Sequence, residues 1–420
     1  MGIPIIDLAP RLPHFDYASS HYAEDPYGTI QELRGECWLA SSVRGVEVLS
    51  WSEASALLVD REHLDGIGAD YYSKQDASEE IIRYATEGML PLMPWVRHDP
   101  VRRVLQKAFN SRDIRGMRED MRTVATGLIE KNAAAGHLDF VGGFLDTYPI
   151  ENVCRLLGIP TVDVAEFTSW TVSLARLSHN PVAPYQDEIN GALRNLYDYF
   201  GRLIETRRAE PRDDFVSALI LSADEIDAEG TGITEAEMFG ALVNLLFAGH
   251  DTTRLQLGWA VLLLMENREQ WELLVDCPAL APQAVEEAMR LTPSLHTILR
   301  TVTKEFEVRG VRFAAGQSLS INIPAANRDS DVFENPDRFL IRRPNANKHL
   351  TFGRGHRLCL GQLLARVEMQ VALEVLSEDY PDLSLAVPAV LSDPAAATYG
   401  PEKLVLGLVR VDGRDQTLPR

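Results

Sequence analysis

The sequence predicts a mainly α-helical protein with a smaller β-rich region. A helical pattern runs from about Pro100 to Asp379, with one interruption at residues 305–323 where short apolar runs alternate with glycine. The segment from Met238 to about Glu266 is apolar and would span roughly 45 Å as a helix. With 420 residues, 45% of them hydrophobic and 24% charged, the chain can bury a large core. We expect a single domain over residues 1–420.

The elements follow in order along the chain. Two short strands flank a Ser-Val-Arg-Gly turn, a hairpin with Gly310 at its turn comes later, and a last helix precedes a strand-like tail. The predicted segments are Cys37–Ala40, Val46–Leu49, Phe306–Val308, Val311–Phe313, Gly361–Ser377 and Leu404–Val411.

The long helix has a start signal and an unusual interior. Thr234 and Glu237 have the spacing of a capping box. The following segment is apolar nearly all round, which predicts burial through the middle of the protein. Inside it lie Ala-Gly-His-Asp-Thr-Thr, residues 248–253, where glycine and a back-bonding threonine favour a local kink. Asp251 and Thr252 are costly side chains to bury there.

Charge and cysteine usage exclude several classes of protein. The formal net charge of −20 makes nucleic acid an unlikely partner. There is no charge-free apolar run of about 18 residues, so no membrane span is expected, and residues 1–7 lack the basic region of a signal peptide. Cys37, Cys154, Cys277 and Cys359 are far apart and form no CxxC pair, as expected in a reducing compartment. We therefore expect a cytoplasmic protein.

The most informative segment is the glycine-rich stretch from Thr351 to Gly361, which contains Cys359. Its glycines allow a close approach to a flat, bulky group, over which Phe352 can pack. Cys359 directly precedes a helix, whose positive end favours a thiolate. A single thiolate is a poor zinc site but suits one axial bond to a heme iron. The alternative is a structural cysteine in a glycine-rich turn.

This stretch resembles the heme-binding loop of the cytochrome P450 family, Phe-Gly-x-Gly-x-(His/Arg)-x-Cys-x-Gly. The fixed positions are filled by Phe352, Gly353, Gly355, Arg357, Cys359 and Gly361. The resemblance covers about residues 20–411 and is to the soluble bacterial type. It implies a triangular, mainly α prism, with heme b between the long helix and the cysteine loop and Cys359 as the axial iron ligand.

Residues 248–253 match the oxygen-activation motif of this family. The resemblance implies that Thr252 hydrogen-bonds oxygen, that Asp251 brings protons from solvent, and that Ala248 and Gly249 leave room for O₂ and substrate. We interpret His250 as structural. The alternative is a satisfied polar pair at a helix kink.

Glu287 and Arg290 match the Glu-x-x-Arg motif of the family, and their spacing places them on one helix face. With Arg343 they would form a buried network that supports the cysteine loop. Glu286 is expected to point outward. The alternative is an ordinary surface ion pair. We interpret Asn-Arg-Asp, residues 327–329, as a structural turn.

The two propionates of a buried heme require basic partners. His98 and Arg102 are four residues apart on a helix expected to start near His98, although this stretch lacks the Asp-Pro-Pro of typical members. Arg300 and Arg357 match two further partners, and His356 is expected at the surface.

The resemblance implies a monooxygenase that activates O₂ and hydroxylates a medium-sized organic substrate. We expect no fused reductase, so the electrons are external. Secondary metabolism is one expected role, and a carrier-bound substrate is one alternative. Ferredoxin and ferredoxin reductase are the expected electron source. A basic patch would dock the acidic ferredoxin: Arg102, Arg103, Lys107, Arg354 and Arg366.

By position, the substrate pocket draws on the loop of residues 64–95 and on six further residues: Leu245, Ser294, Leu295, His296, Thr297 and Tyr399. His296, Thr297 and Tyr399 are candidate polar anchors, although His296 could equally pack away from the pocket.

Three alternatives to hydroxylation remain. The same heme-thiolate chemistry serves coupling, ring closure, dealkylation or desaturation. A peroxide-driven enzyme is disfavoured by the Asp251–Thr252 pair. A heme sensor or ligand carrier needs no such pair.

Overall fold

The computed structural model describes residues 3–8, 11–68, 70–179, 181–227 and 232–408. Within them the α-helices are α1 Ile5–Leu8, α2 Ser20–Glu24, α3 Pro26–Glu36, α4 Trp51–Leu57, α5 Asp70–Ser73, α6 Glu79–Glu87, α7 Trp95–Asn110, α8 Arg118–Asn132, α9 Tyr148–Leu157, α10 Val164–Ala175, α11 Gln186–Ala209, α12 Phe215–Asp227, α13 Glu235–Glu266, α14 Arg268–Asp276, α15 Ala281–Leu291, α16 Ile323–Asn327 and α17 Gln362–Asp379. The strands are β1 Ile3–Pro4, β2 His14–Phe15, β3 Leu39–Ser42, β4 Gly45–Val48, β5 Leu64–Asp65, β6 His137–Asp139, β7 Thr297–Val302, β8 Phe306–Val308, β9 Val311–Phe313, β10 Ser318–Asn322, β11 Ser384–Leu385, β12 Val390–Leu391, β13 Pro401–Lys403 and β14 Val405–Gly407. The predicted fold class, mainly α with small sheets, is confirmed.

The largest sheet has six strands in the order β2-β3-β4-β10-β7-β5. Its first hairpin pairs Leu39 with Val48 around Gly45, whose φ of +111° is in a region that favours glycine. The second predicted hairpin is β8–β9, with Phe306 opposite Phe313, and β1 pairs beside it. Both predicted hairpins are therefore confirmed.

Three boundaries differ from the sequence prediction. The β interruption begins earlier, at β7, because the β-branched run Thr297–Val302 pairs with β10 across the sheet. Residues 328–361 contain only turns and short 3₁₀ segments, since Pro336, Pro344 and several turn-forming residues break the helical pattern. Helix α7 starts at Trp95 and not at His98. In the predicted tail, β14 is present, and residues 409–411 lie outside the described residues.

Helix α13 is the centre of the molecule. Its capping box is formed as predicted: Glu237 N–H donates to Thr234 Oγ1 at 3.1 Å, and Thr234 N–H donates to the Glu237 carboxylate at 2.8 Å. Helices α9, α10, α11, α15 and α17 pack around it. Although α13 is long and apolar, neither it nor any other described helix is suited to cross a membrane.

Two glycines set the distance between α13 and the segment that follows α6. A Cβ atom added at Gly240 would lie 2.7 Å from the Cα of Gly88, which is closer than real contacts allow. The two backbones therefore touch directly. This contact holds residues 88–94, which lead into α7, against the central helix.

The buried carboxylate of Glu287 joins α15 to the irregular segment that follows α16. Arg290 Nε donates to it at 2.7 Å and Arg343 Nε at 2.9 Å, and all three side chains are almost completely buried. The guanidinium groups also donate to backbone carbonyls of the segment, including those of Asn327 and Pro336. The three residues of the predicted network are thus in contact.

Asn327 connects this buried network to the cysteine loop. Its amide accepts from the Leu350 N–H at 2.7 Å and donates to Thr351 Oγ1 at 3.0 Å. Thr351 Oγ1 in turn donates to the carbonyl of Met289 in α15 at 2.8 Å. The start of the loop is therefore tied to the helix that bears Glu287.

Replacing Arg343 by Met is expected to lower the free energy of unfolding by about 3 kcal/mol, because it removes one counter-charge from a fully buried carboxylate. Urea unfolding measures the change. The matched control is Arg342→Met, which alters an exposed neighbour and should shift stability by less than about 0.5 kcal/mol. Equal effects of the two substitutions would contradict the structural role of Glu287.

Candidate functional site

Cys359 lies where the glycine-rich loop meets α17. Its N–H donates to the Phe352 carbonyl at 2.9 Å, and the N–H groups of Gly361 and Gln362 approach its sulfur. Gly353 and Gly355 have φ near +70°, and a Cβ at Gly355 would lie 2.9 Å from the Val59 side chain. The loop therefore requires glycine where the sequence has it. The Cys359 side chain keeps exposed surface.

Opposing effects act on the pKa of the Cys359 thiol. Burial raises this pKa, whereas the backbone N–H of Gly361 and the cations Arg102 and Arg366 lower it. The helix end therefore acts in the predicted direction, against desolvation.

One stripe in the middle of α13 is accessible although the helix is largely buried. Ala248 is exposed, and Leu245, Gly249 and Thr252 are partly exposed. Their spacing of three and four residues places them on one face. The adjoining residues Leu246 and His250 are 0% and 1% exposed, so this face borders an internal space in the centre of the protein.

Gly249 has a packing role that the sequence did not predict. A Cβ atom there would lie 2.8 Å from Cγ2 of Val153 in α9. The glycine therefore allows α9 to pack against α13, whereas Ala248 presents the small side chain toward the internal space.

Asp251 and Thr252 have hydrogen-bond and ion-pair partners that the sequence did not predict. Thr252 Oγ1 donates to the Ala248 carbonyl at 2.8 Å. Asp251 is 3% exposed, and its Oδ1 lies 3.4 Å from Arg254 Nη2, while its Oδ2 has no partner among the described residues. Arg254 also reaches Asp146 Oδ1 at 3.4 Å. One guanidinium thus links the buried Asp251 to Asp146, which is partly exposed.

His250 contacts the Asp146 carbonyl through Nε2 at 3.1 Å. Burial, together with the nearby charge of Arg254, lowers the pKa of His250 to about 3. The imidazole is therefore neutral, and Nε2 donates this hydrogen bond. These contacts agree with the structural interpretation of His250.

The predicted basic residues lie close enough to influence one another. Burial lowers the pKa of His98 to about 4 and those of Arg300 and Arg357 to about 10. Burial also lowers the pKa of Arg102, with the Cys359 thiolate acting in the opposite direction. Arg300 is 4% exposed and, among the described residues, has no carboxylate at ion-pair distance. His356 is exposed, as expected.

Arg357 has an additional structural role. Its Nη2 donates to Asp65 Oδ1 at 2.6 Å and to the Met93 carbonyl at 2.7 Å, and its guanidinium lies 4.0 Å from the Trp95 ring centre. Asp65 also accepts the N–H of Trp95, the first residue of α7. Arg357 therefore joins the cysteine loop to residues 64–95.

Two of the three predicted polar anchors of the pocket bind other residues through their side chains. His296 lies between the hydroxyls of Tyr22 and Tyr27, each 3.5 Å away, and burial lowers its pKa to about 3. Thr297 Oγ1 accepts from Arg44 at 2.9 Å. These contacts favour the alternative in which His296 packs away from the pocket.

Tyr399 belongs to the same aromatic cluster. It is 4% exposed, its ring centre lies 5.1 Å from that of His296, and its carbonyl accepts the Trp259 indole N–H at 2.8 Å. Ser294 is also buried, with its N–H bonded to Gln256. Of the predicted pocket residues, Leu245 and Leu295 keep exposed surface.

The comparisons with known proteins agree with this geometry. The family model described as "Cytochrome P450" matches residues 171–276 and 270–379. The mycinamicin IV hydroxylase/epoxidase of Micromonospora griseorubida is 39% identical over 72% of this chain and 74% of its own length. The nocardicin C N-oxygenase of Nocardia uniformis subsp. tsuyamanensis is 33% identical over 87% of this chain and 88% of its own.

The chain belongs to the cytochrome P450 family. A solved relative, P450BioI in complex with an acyl carrier protein bearing hexadec-9Z-enoic acid, superimposes with a TM-score of 0.82 at 25% identity. That match covers 93% of this chain and all of the other. The protein is thus a P450 monooxygenase, and its cofactor is heme with a thiolate ligand.

The side chains present fit that cofactor. Arg300 is a buried cation that lacks a carboxylate partner among the described residues, as expected of a group that binds a propionate. Cys359 offers a single sulfur, and the described residues contain no cluster of three or more metal-ligating side chains. Ala248 provides a small, exposed surface on the central helix.

A second carboxylate supports the cysteine loop from its outer side. Glu286, predicted to point outward, is largely buried and accepts from Arg366 Nε at 2.6 Å. Its Oε2 lies 3.2 Å from His349 Nε2. The Arg366 guanidinium stacks 4.4 Å from the ring centre of Phe352. Glu286 points inward because α17 brings Arg366 close to α15.

Glu286→Gln tests this contact through pH. Burial alone would raise the pKa of Glu286, but the hydrogen bonds of His349 and Arg366 lower it to about 2. A lowered folded-state pKa stabilises the protein above the unfolded value of about 4.3, and the contribution is lost as the pH falls toward 2.

The unfolding free energy of the native protein should therefore exceed that of the Glu286→Gln variant by a constant amount from pH 5 to 7. The difference should shrink between pH 4 and 3. Urea unfolding at each pH measures it, and a difference that does not change with pH would show that Glu286 is not held ionised by these partners.

Proposed function

We propose that this P450 monooxygenase uses external electrons and O₂ to hydroxylate a medium-sized organic substrate on the face of α13 that contains Ala248 and Thr252. The observation that carries the proposal is the accessible stripe in the middle of the largely buried central helix, together with Cys359 just before α17. The mycinamicin and nocardicin enzymes act on secondary metabolites, which supports a substrate of that class.

In this proposal Cys359 binds the iron, and His98, Arg102, Arg300 and Arg357 neutralise the propionates. Bound heme supplies the iron centre that activates O₂ once electrons arrive, with the thiolate favouring cleavage of the O–O bond. Phe352 covers the cysteine side of the loop, where Arg366 stacks on its ring.

In this proposal Asp251 and Thr252 deliver the protons that the reaction consumes. The Thr252 hydroxyl gives its hydrogen to the Ala248 carbonyl, so its oxygen is free to accept a hydrogen bond from the accessible side. Asp251 is positioned behind it, with Oδ2 unpaired among the described residues, and Arg254 connects it to the partly exposed Asp146. A proton taken up by Asp251 can thus pass toward Thr252.

Coupling, ring closure, dealkylation and desaturation use the same residues and differ only in the fate of the substrate. Product mass spectra separate them from hydroxylation. We include carrier-bound acyl chains among the substrates to test, because P450BioI binds one on its carrier protein. All four cysteines are free, which supports a cytoplasmic location.

Thr252→Ala distinguishes a monooxygenase from a heme sensor or carrier. The variant should form roughly tenfold less product per reductant consumed and release hydrogen peroxide, because proton delivery by Thr252 is lost. Peroxide and product are measured together. Thr253→Ala, at the buried neighbouring threonine, should stay coupled.

The spectrum of the reduced, CO-bound protein should remain of the thiolate type in both threonine variants. Full coupling in Thr252→Ala would exclude the proposed role of this hydroxyl.

We further propose that a ferredoxin, reduced by ferredoxin reductase, docks on a groove of about 410 Å³ beside the cysteine loop. Lys348, Arg354 and Arg366 line it, with Trp51 and Phe352 between them. Two predicted members, Arg354 and Arg366, lie in this groove. Lys107 does not line it and pairs with Glu225, while Arg102 and Arg103 are also outside its lining.

Lys348→Glu should slow reduction by ferredoxin roughly fivefold at low salt, because it reverses an exposed charge in the groove. Stopped-flow reduction of the CO complex measures the rate, and dithionite reduction should not change. Lys74→Glu makes the same charge change outside the groove and should have no effect. Equal slowing by both variants would place docking elsewhere.

A further inference from the structure

Helix α13 carries two amide side chains within its apolar length, and only one of them is hydrogen-bonded to a described residue. Gln256 is 3% exposed, donates to the Thr292 carbonyl at 3.0 Å and accepts from the Ser294 N–H at 3.0 Å. Asn244 is partly exposed and forms no hydrogen bond with any described residue. Gln256 therefore has a structural role that Asn244 lacks.

The position of Asn244 places it at the proposed reaction site. It precedes Ala248 by four residues, which is about 40° around the helix and about 6 Å along it. The neighbouring residues Val243 and Leu246 are 0% exposed. Asn244 thus lies on the accessible stripe, one turn from Ala248. It also follows Gly240 by one turn, where residues 88–94 cross the helix.

Folding does not explain an asparagine at this position. Asparagine is a weaker helix former than leucine. The Asn244 amide forms no hydrogen bond with a described residue that would offset this weakness, and its partial exposure leaves it accessible. Leucine here would support the helix at least as well, so the amide is available for binding.

We propose that Asn244 is a specificity-determining residue that hydrogen-bonds an uncharged polar group of the substrate. The inference rests on the proposed function of the site. The substrate class is then an apolar molecule with a hydroxyl, carbonyl or amide about one helical turn from the carbon that is oxidised. Since the side chains of His296 and Thr297 are hydrogen-bonded to other residues, Asn244 takes the role predicted for them.

Imidazole compounds that bind the heme iron can test the role of Asn244 even though the substrate is not known. The probes are 1-phenylimidazole and its 3-hydroxy and 4-hydroxy derivatives on the phenyl ring, whose binding shifts the heme absorbance. In the native protein at least one phenol should bind roughly three- to tenfold more tightly than 1-phenylimidazole, the range of one neutral hydrogen bond.

In Asn244→Leu this preference should disappear, while the affinity for 1-phenylimidazole and the unfolding temperature stay equal or rise. Asn244→Ala repeats the test with a smaller side chain in case leucine blocks the probes. Asn195→Leu makes the same change on the exposed face of α11 and should retain the preference.

The outcomes separate the two proposals. If no phenol is preferred by native protein, or the preference persists in both Asn244 variants, the amide is satisfied by water only and the inference is wrong. If 1-phenylimidazole causes no spectral shift at all, the proposed heme pocket itself is wrong.

Discussion

The structure depends on a carboxylate that water cannot reach. Glu287 lies between two guanidinium groups, and those groups extend to the backbone carbonyls of a segment that has little regular secondary structure of its own. An ionised group so deeply buried is tolerable only when its partners are fixed. The stabilisation is mutual. The carbonyl groups of the segment bind the two arginines, and the arginines in turn hold the segment in one conformation. The cysteine loop follows directly and is held through Asn327 and Thr351.

The net charge of the whole chain is opposite in sign to the charge of the groups around Cys359. The chain as a whole carries 20 more negative than positive charges, yet the groups around Cys359 are mainly cationic, and burial lowers the pKa of several of them. Such an arrangement stores an unfavourable desolvation energy that an anionic cofactor relieves. Arg357 shows how the protein limits the cost, since Asp65 and the Met93 carbonyl hold it in place.

The sequence predicts those parts of the molecule in which a local pattern determines a local contact. The capping box of Thr234 and Glu237 and the two hairpins of the sheet are of this kind. Contacts between distant segments are harder. Nothing near His296 indicates that Tyr22 and Tyr27 will enclose it, since they lie more than 250 residues earlier. Arg254 is three residues from Asp251, a spacing that could have suggested their contact, but Asp146 could not be found without the fold. The role of Asn244 is visible only once its lack of partners is known.

The contact between Gly88 and Gly240 has a consequence for how this enzyme could change. The crossing segment is positioned by main chain against main chain, beside the Tyr84 ring. Leu90 and Met93 anchor it further, because both side chains are buried in the core. The more accessible side chains of the segment, those of Met89, Pro91, Leu92 and Pro94, can therefore vary without moving its support, whereas either glycine is closed to variation. Directed evolution toward new substrates would accordingly find its tolerant positions at these accessible residues and none at the crossing itself.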